Sequence, residues 1–325
     1  MGNNKKKRDK KEKFISAVRQ RRTGIVHLTH NDLDAAGCDA IHRRKYGRDI
    51  FTIWSSVGGF INNLKNVSET EGKGDILSIS DLGYQKGIDR YVRKAVSNGW
   101  KIEWRDHHRW TDEEIKETEG IVEYLKVDTS VCATGIVAED LMPEDRSSAE
   151  IAKVVCDYDL WRHNDPRSKI LGEVCTKRKN LNYVRDCLTE GIMIDEEIEK
   201  IYSHIEKEKN EAIEKSIKKT KIYQGKYKIA FAPLYGYPSE TAHAIRDRMG
   251  TDIEVIVSEN GRFSIRSEPP VSHLIAKEFN GGGHPPAAGG SFDFKFTDKM
   301  VFKLLKKSRY FKILSRKSEN ITAES

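Results

Sequence analysis

Cysteine is scarce in this chain, five of 325 residues, and no two cysteines stand in C-x-x-C spacing. Cys38, Cys132, Cys156, Cys175 and Cys187 form an odd set that argues against a structural zinc site. They read as reduced, mostly buried small residues of a cytoplasmic protein. Long apolar runs are missing too. No stretch approaches the ~18 consecutive apolar residues of a membrane-spanning helix, and no apolar segment follows the basic start, which excludes a membrane span and a secretory signal. Hydrophobic residues make up only 37% of the chain and charged ones 33%, yet neither value is extreme enough for disorder. At 325 residues there is room for two ordinary domains.

What is present is charge, unevenly placed. The net charge is +7, but residues 1–22 supply +8 and the stretch from Val301 onward +5, leaving 23–300 at −6. A mildly acidic body is what a carboxylate-rich metal site would produce. The run Lys5-Lys6-Lys7-Arg8-Asp9-Lys10-Lys11 reads as a disordered, solvated tail, or as an arm touching nucleic acid.

From Thr23 the chain alternates short apolar runs with amphipathic stretches, the pattern of βαβ units and a parallel sheet. Strands are expected at 24–29, 50–55, 75–80, 101–105 and 121–127, with helices at 35–46, 85–98 and 131–141. Residues 195–220 form a charged helical stretch with little apolar face, read as a connector. Past it, shorter strands at 227–232, 253–258 and 262–266 and helices at 239–249 and 272–279 make a smaller α/β domain. The expected organisation is a basic disordered tail at 1–22, an α/β domain with a parallel sheet at 23–190, a linker helix at 191–222, a smaller α/β C-terminal domain at 223–314 and a polar tail at 315–325.

The placement of polar residues on this framework carries the chemistry. His30, Asp32, Asp34, Asp81, Asp106, His107 and His108 all fall just past the carboxyl ends of expected strands, the edge where open parallel sheets bind ligands. Carboxylates and imidazoles converging there suit divalent cations, and manganese accepts the mixed O/N set better than magnesium. Far downstream, Asn280-Gly281-Gly282-Gly283-His284 joins a glycine run to a histidine. Glycines let backbone N–H groups approach an anion closely, and the imidazole can donate to phosphate. Metal-assisted cleavage of a phosphoester is the reaction these two elements suggest.

In these motifs and their order the chain resembles the DHH phosphoesterase superfamily, in the branch whose DHH-associated C-terminal domain carries a GGGH motif, with RecJ-type exonucleases and nanoRNase (oligoribonuclease) enzymes. The resemblance spans about residues 24–292. It implies two Mn²⁺ ions, with Mg²⁺ as the alternative, and a water between them as nucleophile. Carried over by position, His30, Asp32 and Asp81 resemble the ligands of one ion, and Asp34, Asp81 and His107 those of the other, with Asp81 bridging. His108 resembles the group that contacts the scissile phosphate or protonates the leaving oxygen, and Asp106 one that orients a ligand histidine. For the fourth motif both Asp157 and Asp159 are available, and the Asp-x-Trp context of relatives favours Asp159. Only Asn31 separates His30 from Asp32, a spacing closer to the exonuclease and nanoRNase members than to cyclic-dinucleotide phosphodiesterases.

In the C-terminal part, Phe263-Ser264-Ile265-Arg266-Ser267 resembles the strand that faces the GGGH loop. Arg266 and His284 are the candidates for gripping a phosphate, with backbone contact from Gly282 and Gly283. Tyr235 and Tyr237 could stack on a base, and Ser130 and Thr134 are read as helix-capping residues. The implied activity is a manganese-dependent exonuclease or phosphodiesterase acting on short single-stranded RNA or DNA and releasing nucleoside monophosphates, in a linker-joined pair of domains that leaves a homodimer open. A phosphomonoesterase acting on a small bisphosphorylated nucleotide, and an inactive nucleic-acid-binding relative, are the alternatives.

Overall fold

The computed structural model describes residues 2–322, and the side chains of residue 9 and of 11–322. The chain divides into two compact units, Met1–Ser203 and His204–Ser325.

In the first unit, β1 (Ile25–Thr29), β2 (Phe51–Trp54), β3 (Ile76–Ser80), β4 (Lys101–Asp106) and β5 (Tyr124–Val127) form one sheet in the order β2-β1-β3-β4-β5. Every pairing is parallel. All five residues of β1 are buried, as expected of a strand covered on both faces. The strand order reverses at β1, so the crevice at the carboxyl ends of β1 and β3 is the topological switch point where such sheets bind ligands.

The crossovers are α2 (Leu33–Tyr46), α3 (Phe60–Ser68), α4 (Asp89–Ser97) and α5 (Asp112–Glu119). Asp32 caps α2 by accepting from the Ala35 amide, and a Thr111/Glu114 capping box starts α5. Then come α6 (Ala133–Leu141), α7 (Arg146–Asp159), α8 (Pro166–Cys175), α9 (Leu181–Thr189) and the long α10 (Glu196–Lys218). The charged stretch read as a connector is thus one helix, and it does have an apolar side, along which Ile198, Ile205 and Ile213 are buried.

Three expectations are corrected. Residues 1–22 are no disordered tail: α1 covers Gly2–Arg19, with Val18 fully buried and Phe14 packed against the sheet's core. Behind it, Arg21 pairs with Asp75 at 2.7 Å and stacks on Trp100. The apolar residues that dock this helix follow a lysine run that dominates the local composition. The arm reading of the basic run falls mostly on side chains outside the described ones. The polar tail begins later than 315, since α14 (Arg309–Ser318) buries Leu314 and Ser318, and Tyr227 donates to the Ile321 carbonyl; residues 323–325 lie outside the described residues. Finally, the cysteines are not all reduced. Cys132 and Cys156 form a disulfide, their Cα atoms 5.1 Å apart. They sit 24 residues apart in sequence, so only tertiary packing brings them together.

The second unit is a six-stranded sheet in the order β10-β11-β9-β8-β7-β6, built from β6 (Lys221–Gln224), β7 (Lys228–Pro233), β8 (Ile253–Val257), β9 (Arg262–Ser267), β10 (Gly282–His284) and β11 (Ala287–Ser291). Only β7 and β8 pair in parallel. Its helices are α11 (Pro238–Met249), α12 (Ser272–Lys277), α13 (Phe296–Leu305) and α14. The core is aromatic, with Phe231 stacked on Phe311 at 4.3 Å and Phe263, Phe292 and Phe302 in the same cluster. The glycine run is the exposed edge strand of an antiparallel hairpin rather than a loop, with Gly283 at φ 144°, open only to glycine.

Candidate metal centre

The loop after β1 carries His30 and Asp32, and Asp34 lies in the first turn of α2; Asp81 follows β3, and Asp106 ends β4 just before His107 and His108. Parallel neighbours about 4.8 Å apart bring these strand ends together, although they span nearly eighty positions of sequence. Three groups of donors each gather within 4.8 Å: His30, Asp32 and Asp81; Asp34, His107 and Asp159; and Asp81, His107 and His108. Asp81 and His107 each belong to two of them. His107 Nε2 lies 3.4 Å from Asp81 and 3.7 Å from Asp34, while its Nδ1 is 3.6 Å from Asp159.

The electrostatics of this cluster call for cations. Asp81 and Asp34 are almost fully buried, and burial plus the neighbouring carboxylates push both up, Asp34 to about 7 and Asp81 well above the usual carboxylate range. Asp159 is raised as well, chiefly by burial. One oxygen each of Asp81 and Asp159 is buried without a hydrogen-bond partner. Uncompensated buried carboxylate oxygens are costly, and a hard divalent cation is the partner that satisfies them. Asp81 also adopts φ 54°, left-handed backbone that a non-glycine residue holds only when its surroundings enforce it.

Supporting contacts hold the donors in place. Both oxygens of Asp34 accept backbone amides at the start of α6, from Ala133 and Thr134, each at 2.8 Å. The Thr134 hydroxyl donates to the Asp34 carbonyl at 2.7 Å. Thr134 is therefore a brace for Asp34 and not the helix cap expected, a position Cys132 takes; Ser130 binds only Asp128. This closeness of α6 to α2 requires Gly37, where a Cβ would lie 2.4 Å from Thr134 Oγ1. Gly37→Ala is expected to push Thr134 off Asp34 and lower the melting temperature in thermal denaturation, against its gain in helix propensity.

Asp106 orients His108. Its carboxylate accepts from His108 Nδ1 at 2.8 Å and from Trp110 Nε1 at 2.7 Å. The Asp106 hydrogen bond raises the pKa of the half-exposed His108 ring, which favours its proton-donating form. His30 is raised in the same way by its 2.6 Å contact with Asp32.

Of the two aspartates of the fourth motif, Asp159 reaches His107. Asp157 instead accepts from the amides of Asn164 and Asp165 and from the Ser168 hydroxyl, closing the turn between α7 and α8. Asp157→Ala is therefore expected to cost about 1–3 kcal/mol of stability by orphaning those donors, whereas Asp159→Ala lowers metal affinity and leaves the metal-free fold as stable. Thermal denaturation with and without Mn²⁺ separates the two.

The second unit brings its own candidates together. Across the sheet, Arg266 pairs with Ala287, and Ala287 with His284. Paired residues share a face, so the guanidinium and the imidazole flank a small alanine. Arg266 donates to Ser239 Oγ at 2.8 Å, in the first turn of α11, where free amides favour an anion. Sequence reasoning missed Ser239, whose only signal is its place beside a proline at a helix start. Gly282, Gly283 and His284 are exposed. Tyr235 is engaged by cations, its ring under Lys219 and Lys306.

No family model matches the chain. Oligoribonuclease NrnB of Bacillus subtilis (strain 168) is 24% identical over 298 residues, covering 82% of this chain and 73% of that protein. Among solved structures, the pGpG-specific phosphodiesterase PggH from Vibrio cholerae has a TM-score of 0.52 at 12% identity, covering 87% of this chain and 98% of that one. Exonuclease RecJ bound to manganese has a TM-score of 0.51 at 15% identity, covering 96% and 95%. In sequence the chain is thus similar to an oligoribonuclease, and the two solved structures share its fold, with the donors of this chain at the switch point of the parallel sheet.

Proposed function

We propose that the protein is a manganese-dependent hydrolase of phosphodiester bonds that degrades short single-stranded oligonucleotides to nucleoside monophosphates. The observation that carries this reading is the buried carboxylate set with two orphaned oxygens at the switch point of the first sheet. His30, Asp32 and Asp81 would hold one ion, and Asp34, His107 and Asp159 the other, with Asp81 within reach of both sets. Bound there, manganese supplies the charge that lowers the pKa of the attacking water and steadies the leaving oxygen. His108, whose pKa is raised by its hydrogen bond to Asp106, would donate the proton that the leaving oxygen needs. Arg266 and His284 hold a phosphate in the second unit, with the edge amides of Gly282 and Gly283 beside them.

The test is hydrolysis of end-labelled RNA and DNA dinucleotides and longer oligomers with added Mn²⁺, alongside 3′-phosphoadenosine 5′-phosphate. Mononucleotide release from the oligomers is the expected result. Hydrolysis of the bisphosphate alone overturns it in favour of a phosphomonoesterase. Arg266→Ala is expected to raise KM about tenfold with kcat nearly unchanged, the signature of a lost charge-assisted phosphate contact remote from the bond that breaks.

A further inference from the structure

The disulfide joins the start of α6, whose amides grip Asp34, to the end of α7, which carries Asp159. Cys132 is the N-cap of α6, so the next two residues, Ala133 and Thr134, are those whose amides grip both oxygens of Asp34. Cys156 is on the last turn of α7, three residues before Asp159, and Asp159 meets His107 opposite Asp34. Both cysteines are buried, while His30, Asp32 and the other set stand on loops that the bond does not touch.

We propose that the Cys132–Cys156 pair is a redox-sensitive positioning device that sets the spacing of Asp34 and Asp159, and hence the affinity of the Asp34–His107–Asp159 site for its cation. The inference rests on the metal reading given above. Reduction breaks the single S–S bond, consuming two electrons and two protons from a low-molecular-weight dithiol, which leaves as its own disulfide; oxidation by a small disulfide runs the exchange in reverse. Two thiols need more room than a bonded pair, so on reduction the start of α6 and the end of α7 move apart. Metal donors must sit within a few tenths of an ångström of their ideal distance, and loss of such outer support typically weakens metal binding 10- to 100-fold.

The experiment is Mn²⁺ titration by calorimetry of the full chain, oxidised or reduced and then freed of reductant, with Cys132→Ala/Cys156→Ala as a comparison that lacks this pair. The oxidised protein should bind two ions. The reduced protein and the double variant should each hold one ion within twofold of that affinity and the other about 10- to 100-fold more weakly, with melting temperature followed in parallel. Superimposable isotherms overturn the proposal, as does equal weakening of both sites, which marks general destabilisation. Alkylation of the unfolded oxidised protein should find three free thiols, and five would overturn it by showing no bond. If the oxidised protein binds no Mn²⁺, the metal reading falls, a result distinct from two unaltered sites.

Discussion

Asp81→Asn is expected to lower Mn²⁺-supported hydrolysis on the order of a thousandfold, and at the same time to raise the melting temperature of the metal-free protein. Both outcomes follow from one carboxylate. Asp81 is 3% exposed, sits among like charges, and has an oxygen with no partner. Without a cation it is a destabilising group, and the isosteric amide removes the charge while filling the same space. With a cation it belongs to two overlapping donor groups, so its loss damages both. The check is kcat in parallel with thermal denaturation, with and without Mn²⁺. The wild type should be stabilised by the ion far more than the variant. A variant that cleaves as fast as wild type ends the assignment.

Asp39→Ala should be among the most destabilising single changes in the first unit, by roughly 3–5 kcal/mol, although Asp39 touches no donor. It lies fully buried on α2, where its carboxylate accepts from His27 at 2.7 Å, Arg43 at 2.9 Å, Arg185 at 3.3 Å and the Thr52 hydroxyl at 2.9 Å. Removing it leaves the fully buried His27 without its carboxylate partner and takes one of their acceptors from two partly buried guanidinium groups, the expensive way to break a buried ion pair. His27 in turn meets Ser80 Oγ at 2.7 Å, one residue before Asp81, so the network also underpins the left-handed turn at Asp81.

The sign of the pH dependence follows. Burial alone would raise the Asp39 pKa, but His27 and Arg43 hold it well below the usual carboxylate range. Its stabilising contribution is thus complete above the ordinary carboxylate pKa near 4 and is lost as pH falls toward the depressed folded value. Denaturant unfolding should show the gap between wild type and Asp39→Ala wide at pH 7 and narrowing below about pH 4. A gap independent of pH would mean that Asp39 acts by packing alone.

The parallel sheet was legible because β1 and β3 are short, mostly apolar segments separated by helical stretches, and their ends were legible because histidines and aspartates cluster just past them. The division of labour among the ends was not. Only the Asp-x-Trp context of relatives separated Asp159 from Asp157, two residues apart on one helix; the structure shows the physical difference, because the turn made by Asn164 and Asp165 occupies Asp157 and leaves Asp159 near His107. Which histidine Asp106 orients was not legible either, since it precedes both in sequence and only the backbone after β4 directs it at His108. The glycine run was read as a loop, yet pairing with β11 makes it a strand edge.

By itself, then, the amino-acid order determined which segments become strands, that their ends carry metal-seeking side chains, and which superfamily the motif series matches, because periodicity and strand-end chemistry are local properties. Tertiary structure decided which donors gather within reach of one another, that α6 clamps Asp34, that α1 docks through Val18, and that two cysteines meet. Those outcomes depend on which helices pack side by side, and packing distance is not written in sequence separation.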